Sequence, residues 1–260
     1  MIVYKTPEEI ELIRQSNILV SKTLAEVAKL IKPSVKTVML DKCAEEFIRD
    51  NKAIPGFLGY NNFPKTLCTS VNSQVVHGIP GDIELKEGDI ISIDCGVLLN
   101  GYYGDAAYTF AVGEISQEVY KLLQITKQSL FLGIEQAVEG KRIGDISHTI
   151  QNYCETAGFS VVREMVGHGL GKHLHEAPEV PNYGKKGTGA LLKTGMVLCI
   201  EPMINMGHKR VYQEKDGWTI RTADNKPSAH FEHAIAIGKN KADVLSTYSY
   251  LKEVLGEKEF

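Results

Sequence analysis

The chain has 260 residues, of which 43% are hydrophobic and 23% charged, with a formal net charge of -3. That composition describes an ordinary globular protein of one large or two small domains, and nothing in it points to a nucleic-acid or membrane partner. No apolar run is long enough to span a bilayer, and the N-terminal MIVYKTPEE lacks a hydrophobic signal region. The five cysteines, at 43, 68, 95, 154 and 199, are odd in number and form no CxxC pair. Neither a disulfide framework nor a thiolate zinc site is therefore expected, and the thiols read as reduced, buried apolar groups of a cytoplasmic chain.

In chain order, residues 6–31 read as a helix. Thr6 is its N-cap, Pro7 suits its first turn and Glu9 completes a capping box. Ile10, Ile13, Leu24, Val27 and Ile31 form its apolar stripe, and Pro33 ends it. A second helix is expected from Thr37 to Asn51. Strands follow over 66–76, 89–98 and 102–112, the last two joined by a turn at Asn100-Gly101. Helical periodicity returns over 116–137 and 144–157, where Gly158 supplies a left-handed cap. Strands are expected again over 160–166, 195–202 and 230–237. The C-terminal LGEKEF reads as a frayed tail.

The order helix, helix, strands therefore occurs twice. One stretch carries the repeat in letters: LKEGDIISID, ending at Asp94, aligns without a gap with LKTGMVLCIE, ending at Glu201. Leu, Lys, Gly and Ile match, and the terminal acid falls in register. Two related halves with joined sheets follow, and Asp94 should face Glu201 across a pseudo-twofold axis.

Asp is depleted in strands because its short side chain competes for backbone hydrogen bonds. Yet Asp94 and Asp105 lie on the two arms of one apolar hairpin, opposite or one rung apart. Glu201 joins them through the repeat, and Glu232 sits in the apolar AHFEHAIAI. Four carboxylates cannot converge without a compensating positive charge, and these segments contain no Lys or Arg. Divalent metal is the economical answer, and four carboxylates suggest two ions. His168, His173 and His175 cluster in GHGLGKHLHE, and His77 follows a strand in VVHGIPG. Glycines on both sides of His168 permit close backbone approach. One imidazole with four carboxylates suits Mn(II), Fe(II), Co(II) or Zn(II). Two such ions roughly 3.5–4 Å apart hold a water and lower its pKa, which makes hydrolysis the reaction class. His173 and His233 read as ordinary hydrogen-bonded residues.

At these residues the sequence resembles the type I methionine aminopeptidases, metallopeptidases of the pita-bread fold. The resemblance runs from about Thr6 to Leu245. It rests on PGFLGYNNFPKTLCTSVNSQVVHGIP (55–80), DCGVLLNGYYGDAA (94–107), GHGLGKHLHEAPEVPNYG (167–184), IEPMIN (200–205) and FEHAIAI (231–237). It implies an α+β fold, two pseudosymmetric halves around a mostly antiparallel sheet, and one catalytic domain over 1–260. It also implies a dinuclear ligand set of Asp94, Asp105, His168, Glu201 and Glu232, with Asp105 and Glu232 bridging. Asp94 would serve one ion, and His168 with Glu201 the other. His175 matches the histidine that stabilises the tetrahedral intermediate, and His77 the one near the substrate amide. Glu201 would handle the proton of the water, a hydroxide bridging the ions being the nucleophile. Tyr60, Phe63, Cys68 and Trp218 match the pocket for the methionine side chain.

The implied activity is removal of the initiator methionine from nascent polypeptides, with a small second residue preferred. The expected partners are polypeptide N-termini emerging at the ribosome, the expected compartment the cytoplasm, and the expected state a monomer. Four positions depart from the family pattern. Ala106 follows Asp105 where a hydroxyl is usual, Asn61 replaces a common histidine, Phe57 a small residue and Leu174 an aromatic. Two rivals remain. Proline-directed relatives carry a large extra N-terminal domain, for which a helix beginning at Thr6 is expected to leave no room. An inactive binding module typically loses ligands, whereas this chain keeps all five.

Overall fold

The computed structural model describes residues 1–256. Helix α1 spans Pro7–Ala28. The Thr6 hydroxyl accepts the Glu9 N–H at 3.3 Å, and the Glu9 carboxylate accepts the Thr6 N–H at 3.0 Å. The box satisfies two of the donors that every helix start leaves open. The helix stops at Ala28 rather than Ile31. The N–H groups of Leu30 and Ile31 bond the carbonyls of Val27 and Ala28, so the chain tightens into turns before Pro33 is reached. Helix α2 spans Thr37–Asp50.

Five strands follow: β1 (Ile54–Pro55), β2 (Leu67–Val71), β3 (Gln74–Val76), β4 (Ile90–Leu99) and β5 (Tyr102–Ala111). The expected strand 66–76 is two strands, because Asn72 turns the chain with φ +52° and bonds Asp89 and Ile90 through its side chain. Between β4 and β5, Asn100 (φ +53°) and Gly101 (φ +79°) make the two-residue turn that matches strand twist.

The second half opens with α3 (Gln117–Ile134), capped by Ser116, and α4 (Ile143–Thr156). Gly158 follows at φ +93°, as expected of a left-handed stop. Short strands come next: β6 (Ser160–Val161), β7 (Gly167–Gly169), β8 (Glu176–Val180), β9 (Val197–Ile200) and β10 (Met203–Asn205). They are followed by β11 (Val211–Gln213), β12 (Ile220–Thr222), β13 (Ser228–His230), β14 (His233–Ala236) and β15 (Asp243–Val244). The strand expected over 160–166 pairs only at its first two residues. Helix α5 spans Ser249–Leu255, so the tail begins helical; residues 257–260 lie outside the described residues.

The two halves share a pattern. In the first, β4 lies between β5 and β2; in the second, β9 lies between β14 and β7. All these pairings are antiparallel. The repeat seen in the letters is also a repeat of backbone, since Gly88 and Gly195 sit at φ +87° and +92° just ahead of β4 and β9. The sheets meet where the Glu232 N–H donates to the Ala107 carbonyl of β5 at 3.0 Å. The largest core cluster draws on both halves, with Leu24 and Ile93 from the first and Ile150 and Leu198 from the second. Phe110 and Phe231 are almost fully buried in it, each contributing about 1.5–3 kcal/mol through burial. Among the described residues, no helix is long and apolar enough to cross a membrane.

Candidate metal centre

The hairpin register fixes the first two acids. Asp105 pairs with Gly96, two residues from Asp94, so the carboxylates lie one rung apart on the same face. The side chain of Asn17, buried in α1, accepts the Asp105 N–H at 3.1 Å and donates to the Ile13 carbonyl at 2.9 Å. Glu201 and Glu232 do not lie inside strands as expected. Glu201 sits in the break between β9 and β10, and Glu232 in the break between β13 and β14. A broken ladder frees both side chains to turn inward. The Glu232 N–H is shared between the Ala107 carbonyl and the Tyr248 hydroxyl, which fixes the break.

His168 enters on β7 between two close contacts. A Cβ on Gly167 would overlap the carbonyl of Cys199, and one on Gly169 the carbonyl of Ala177. Nδ1 of His168 lies 2.9 Å from the Gly169 carbonyl, so that nitrogen carries the proton and Nε2 keeps a free lone pair. Nε2 faces Glu201 Oε1 at 3.5 Å and Asp105 Oδ2 at 3.7 Å.

Burial dominates the electrostatics. It pushes the carboxyls of Asp105, Glu201 and Glu232 well above their usual range, with neighbouring carboxylates adding to the effect, and Asp94 up to about 6. It pushes His168 down to about 3, which leaves a neutral imidazole. One oxygen each of Asp94, Asp105 and Glu232 is shielded from solvent with no hydrogen-bond partner among the described residues. Orphaned carboxylate oxygens facing a neutral imidazole are costly unless a cation joins them. Donor atoms of Asp105, His168, Cys199 and Glu232 all lie within 4.8 Å of one another. The residues therefore fit divalent metal.

Two members of this neighbourhood were not singled out from the sequence. Cys199 stands among the donors as a thiol whose pKa burial drives upward, with the nearby Glu232 carboxylate adding to the effect. Its place one step before the repeat's matched Ile was the available signal. His230 is 1% exposed, with Nε2 3.6 Å from Glu201 Oε2. Its spacing of two from Glu232 was the signal there.

The acids lie on the floor of a cleft of about 620 Å³. Tyr60, Phe63, Cys68 and Trp218 line it, and Phe63 meets Trp218 edge-on with centroids 5.1 Å apart. The loop bearing Tyr60 and Phe63 folds tightly through Gly59, Asn61 and Asn62, all at positive φ. Phe57 packs against Gly96, where any Cβ would strike its ring, and Leu174 is buried beside it in the same apolar cluster. His175 and His77 also line the cleft. His175 Nδ1 lies 2.7 Å from the Tyr60 hydroxyl. His77 has φ +59°, and burial holds its pKa at about 4. Ala106 is buried and leaves no hydroxyl beside Asp105. His173 and His233 stand apart from the cleft. His173 is exposed, and His233 bonds Ser246 at 2.7 Å within the core.

The sequence profile of Metallopeptidase family M24 matches residues 11–239. The methionine aminopeptidase of Clostridium perfringens is 52% identical over 246 residues, 95% of this chain and 99% of that protein. The crystal structure of methionine aminopeptidase from Rickettsia prowazekii superposes with a TM-score of 0.94 at 41% identity, covering 95% of this chain and all of that one. A prolidase from Pyrococcus horikoshii shares the fold at 22% identity and a TM-score of 0.76, and this chain covers 63% of it. The fold is thus the pita-bread α+β architecture, and the chain belongs to the methionine aminopeptidases of metallopeptidase family M24.

Proposed function

We propose that this chain is one catalytic domain that removes the initiator methionine from nascent polypeptides in the cytoplasm, acting as a monomer. The observation that carries the reading is the convergence of four carboxylates and one neutral imidazole on the floor of a cleft with a sulfur- and aromatic-lined wall. Asp94, Asp105, His168, Glu201 and Glu232 would hold two divalent ions, drawn from Mn, Fe, Co or Zn. When bound, the ions supply Lewis-acid polarisation and lower the pKa of water.

The chain's own residues do the rest. Tyr60, Phe63, Cys68 and Trp218 enclose the methionine side chain, where sulfur–aromatic contacts favour a thioether. The Tyr60 hydroxyl engages Nδ1 of His175 and leaves Nε2 to face the scissile carbonyl as its charge grows. His77, held neutral by burial, hydrogen-bonds the substrate amide. Glu201 accepts the proton released by the attacking water and passes it toward the leaving amine. A small second residue is preferred, as the family resemblance implies.

The test is methionine release from a Met-Ala-Ser peptide by protein stripped with chelator and reloaded anaerobically with one metal at a time. Loss on stripping and return on reloading supports the reading. A folded protein that releases nothing with any metal favours the inactive binding module instead, and a Glu201→Ala variant would leave such a module's binding unchanged.

A further inference from the structure

We propose that His230 is a second imidazole donor of the metal centre, meeting it at the opposite oxygen of Glu201 from His168. The inference rests on the metal-centre reading above. His168 Nε2 addresses Oε1 of Glu201 at 3.5 Å, and His230 Nε2 addresses Oε2 at 3.6 Å. Neither separation is a hydrogen bond. Both match two donors on one ion, since atoms each about 2.1 Å from a metal stand roughly 3.0–3.6 Å apart at angles of about 90–120°.

Both ring nitrogens of His230 are buried without a hydrogen-bond partner among the described residues. Buried polar groups are almost always satisfied, so an orphaned imidazole in a fixed pose needs an explanation. The pose is fixed from both sides of the backbone. The His230 N–H donates to the Thr109 hydroxyl at 2.9 Å, and that hydroxyl donates to the His230 carbonyl at 2.7 Å. Ser92 lies 2.8 Å from the same hydroxyl and holds it in place. His230 pairs with Met203 at the end of β13, which anchors its strand. Two residues on comes Glu232, with Phe231 between them entering the core. His230 thus faces Oε2 of Glu201 while His168 faces Oε1. It gives the centre two nitrogens rather than one, which favours Fe(II), Co(II) or Zn(II) over Mn(II).

The probe is cobalt(II) titrated into the metal-free full chain labelled with ¹⁵N-histidine. Ligating imidazoles give solvent-exchangeable N–H resonances shifted far outside the normal proton range. At saturation the wild type should show two such resonances, and His230→Gln and His168→Gln one each. Calorimetry should show cobalt binding to His230→Gln weakened about tenfold or more. A single shifted resonance in the wild type overturns the assignment. So does weaker binding by His230→Gln with the wild type still at one resonance, which would make His230 a support for Glu201. Should His230→Gln fail to fold, the wild-type and His168→Gln counts still decide. No shifted resonance in any protein would sink the metal-centre reading itself, a result distinct from a centre with one imidazole.

Discussion

The hydroxyl of Tyr60 lies 2.7 Å from Nδ1 of His175, joining two cleft walls that are 115 residues apart in the chain. The rings also meet, tilted, at a centroid distance of 5.1 Å. One hydrogen bond therefore sets which nitrogen of His175 is left free beside the cleft. Tyr60→Phe keeps the ring and removes that control. Methionine release should fall in kcat by about tenfold, near the 1–1.5 kcal/mol of a single hydrogen bond, with KM little changed. Steady-state kinetics on a Met-Ala-Ser peptide will check this. A KM effect with normal kcat would mean that Tyr60 serves only as pocket wall.

Gly167 has no room for a side chain, because the obstacle is the Cys199 backbone rather than a flexible side chain. Gly167→Ala must push β7 away from β9 and carry His168 with it. Stability should drop by about 1–3 kcal/mol, and metal affinity by about tenfold or more. Urea unfolding of the metal-free variant and calorimetric metal titration separate the two effects.

Asn17 is buried in α1 and spends its side chain on the Asp105 N–H and the Ile13 carbonyl. Asn17→Ala leaves the buried N–H of Asp105 unpaired. The expected loss is about 1–3 kcal/mol of stability, read by urea unfolding, together with weaker metal binding. Unchanged metal affinity would show that β5 holds Asp105 without help from α1.

Asp94 sets a pH dependence with a definite sign. Its folded pKa is raised from 3.8 to about 6 by burial, so between these values the metal-free fold keeps a proton that the unfolded chain has released. That contribution to stability is fully present below 3.8 and is lost as pH rises through about 6. His77 works in the opposite direction. Its folded value of about 4 lies below 6.5, so its contribution is present above 6.5 and is lost as pH falls toward 4. Comparing Asp94→Asn with wild type isolates the first effect. With chelator present, the melting temperature of Asp94→Asn should lose less than that of wild type between pH 4 and 6.5. With saturating metal the wild-type trend should reverse, because binding requires ionised carboxyls and expels their protons. Parallel wild-type and variant curves in chelator would rule out a raised pKa at Asp94.

Much of this architecture was legible in letters because it is written in local signals. The capping box at Thr6, the Asn100-Gly101 turn and the Gly158 stop each depend on a few adjacent residues, and each formed. The repeat ending at Asp94 and Glu201 was legible because strand alternation and a glycine turn recur in register. The parts that were not legible depend on tertiary partners. Nothing near Asn17 marks it as the clamp on Asp105, since its partner lies 88 residues away. The breaks at Glu201 and Glu232 look like continuous strand in sequence, because an apolar run does not reveal where its ladder is interrupted. Cys199 looked like a packing thiol until β9 was placed beside β14. Nothing in the letters around His230 reveals that its buried ring lacks a hydrogen-bond partner among the described residues.

The Tyr248 hydroxyl accepts the Glu232 N–H at 3.1 Å and donates to the Ala107 carbonyl at 2.8 Å, fastening the two sheets together near the C-terminus. The order of synthesis then matters. Asp94 and Asp105 leave the ribosome early and can pair in their hairpin, but they face no imidazole and no glutamate. Their complement arrives in pieces at residues 168, 201 and 232, and the fastening at Tyr248 follows them. Until then the chain carries an unmatched acidic hairpin in an apolar sheet. This protein therefore completes its metal site only after about 140 further residues have followed the hairpin.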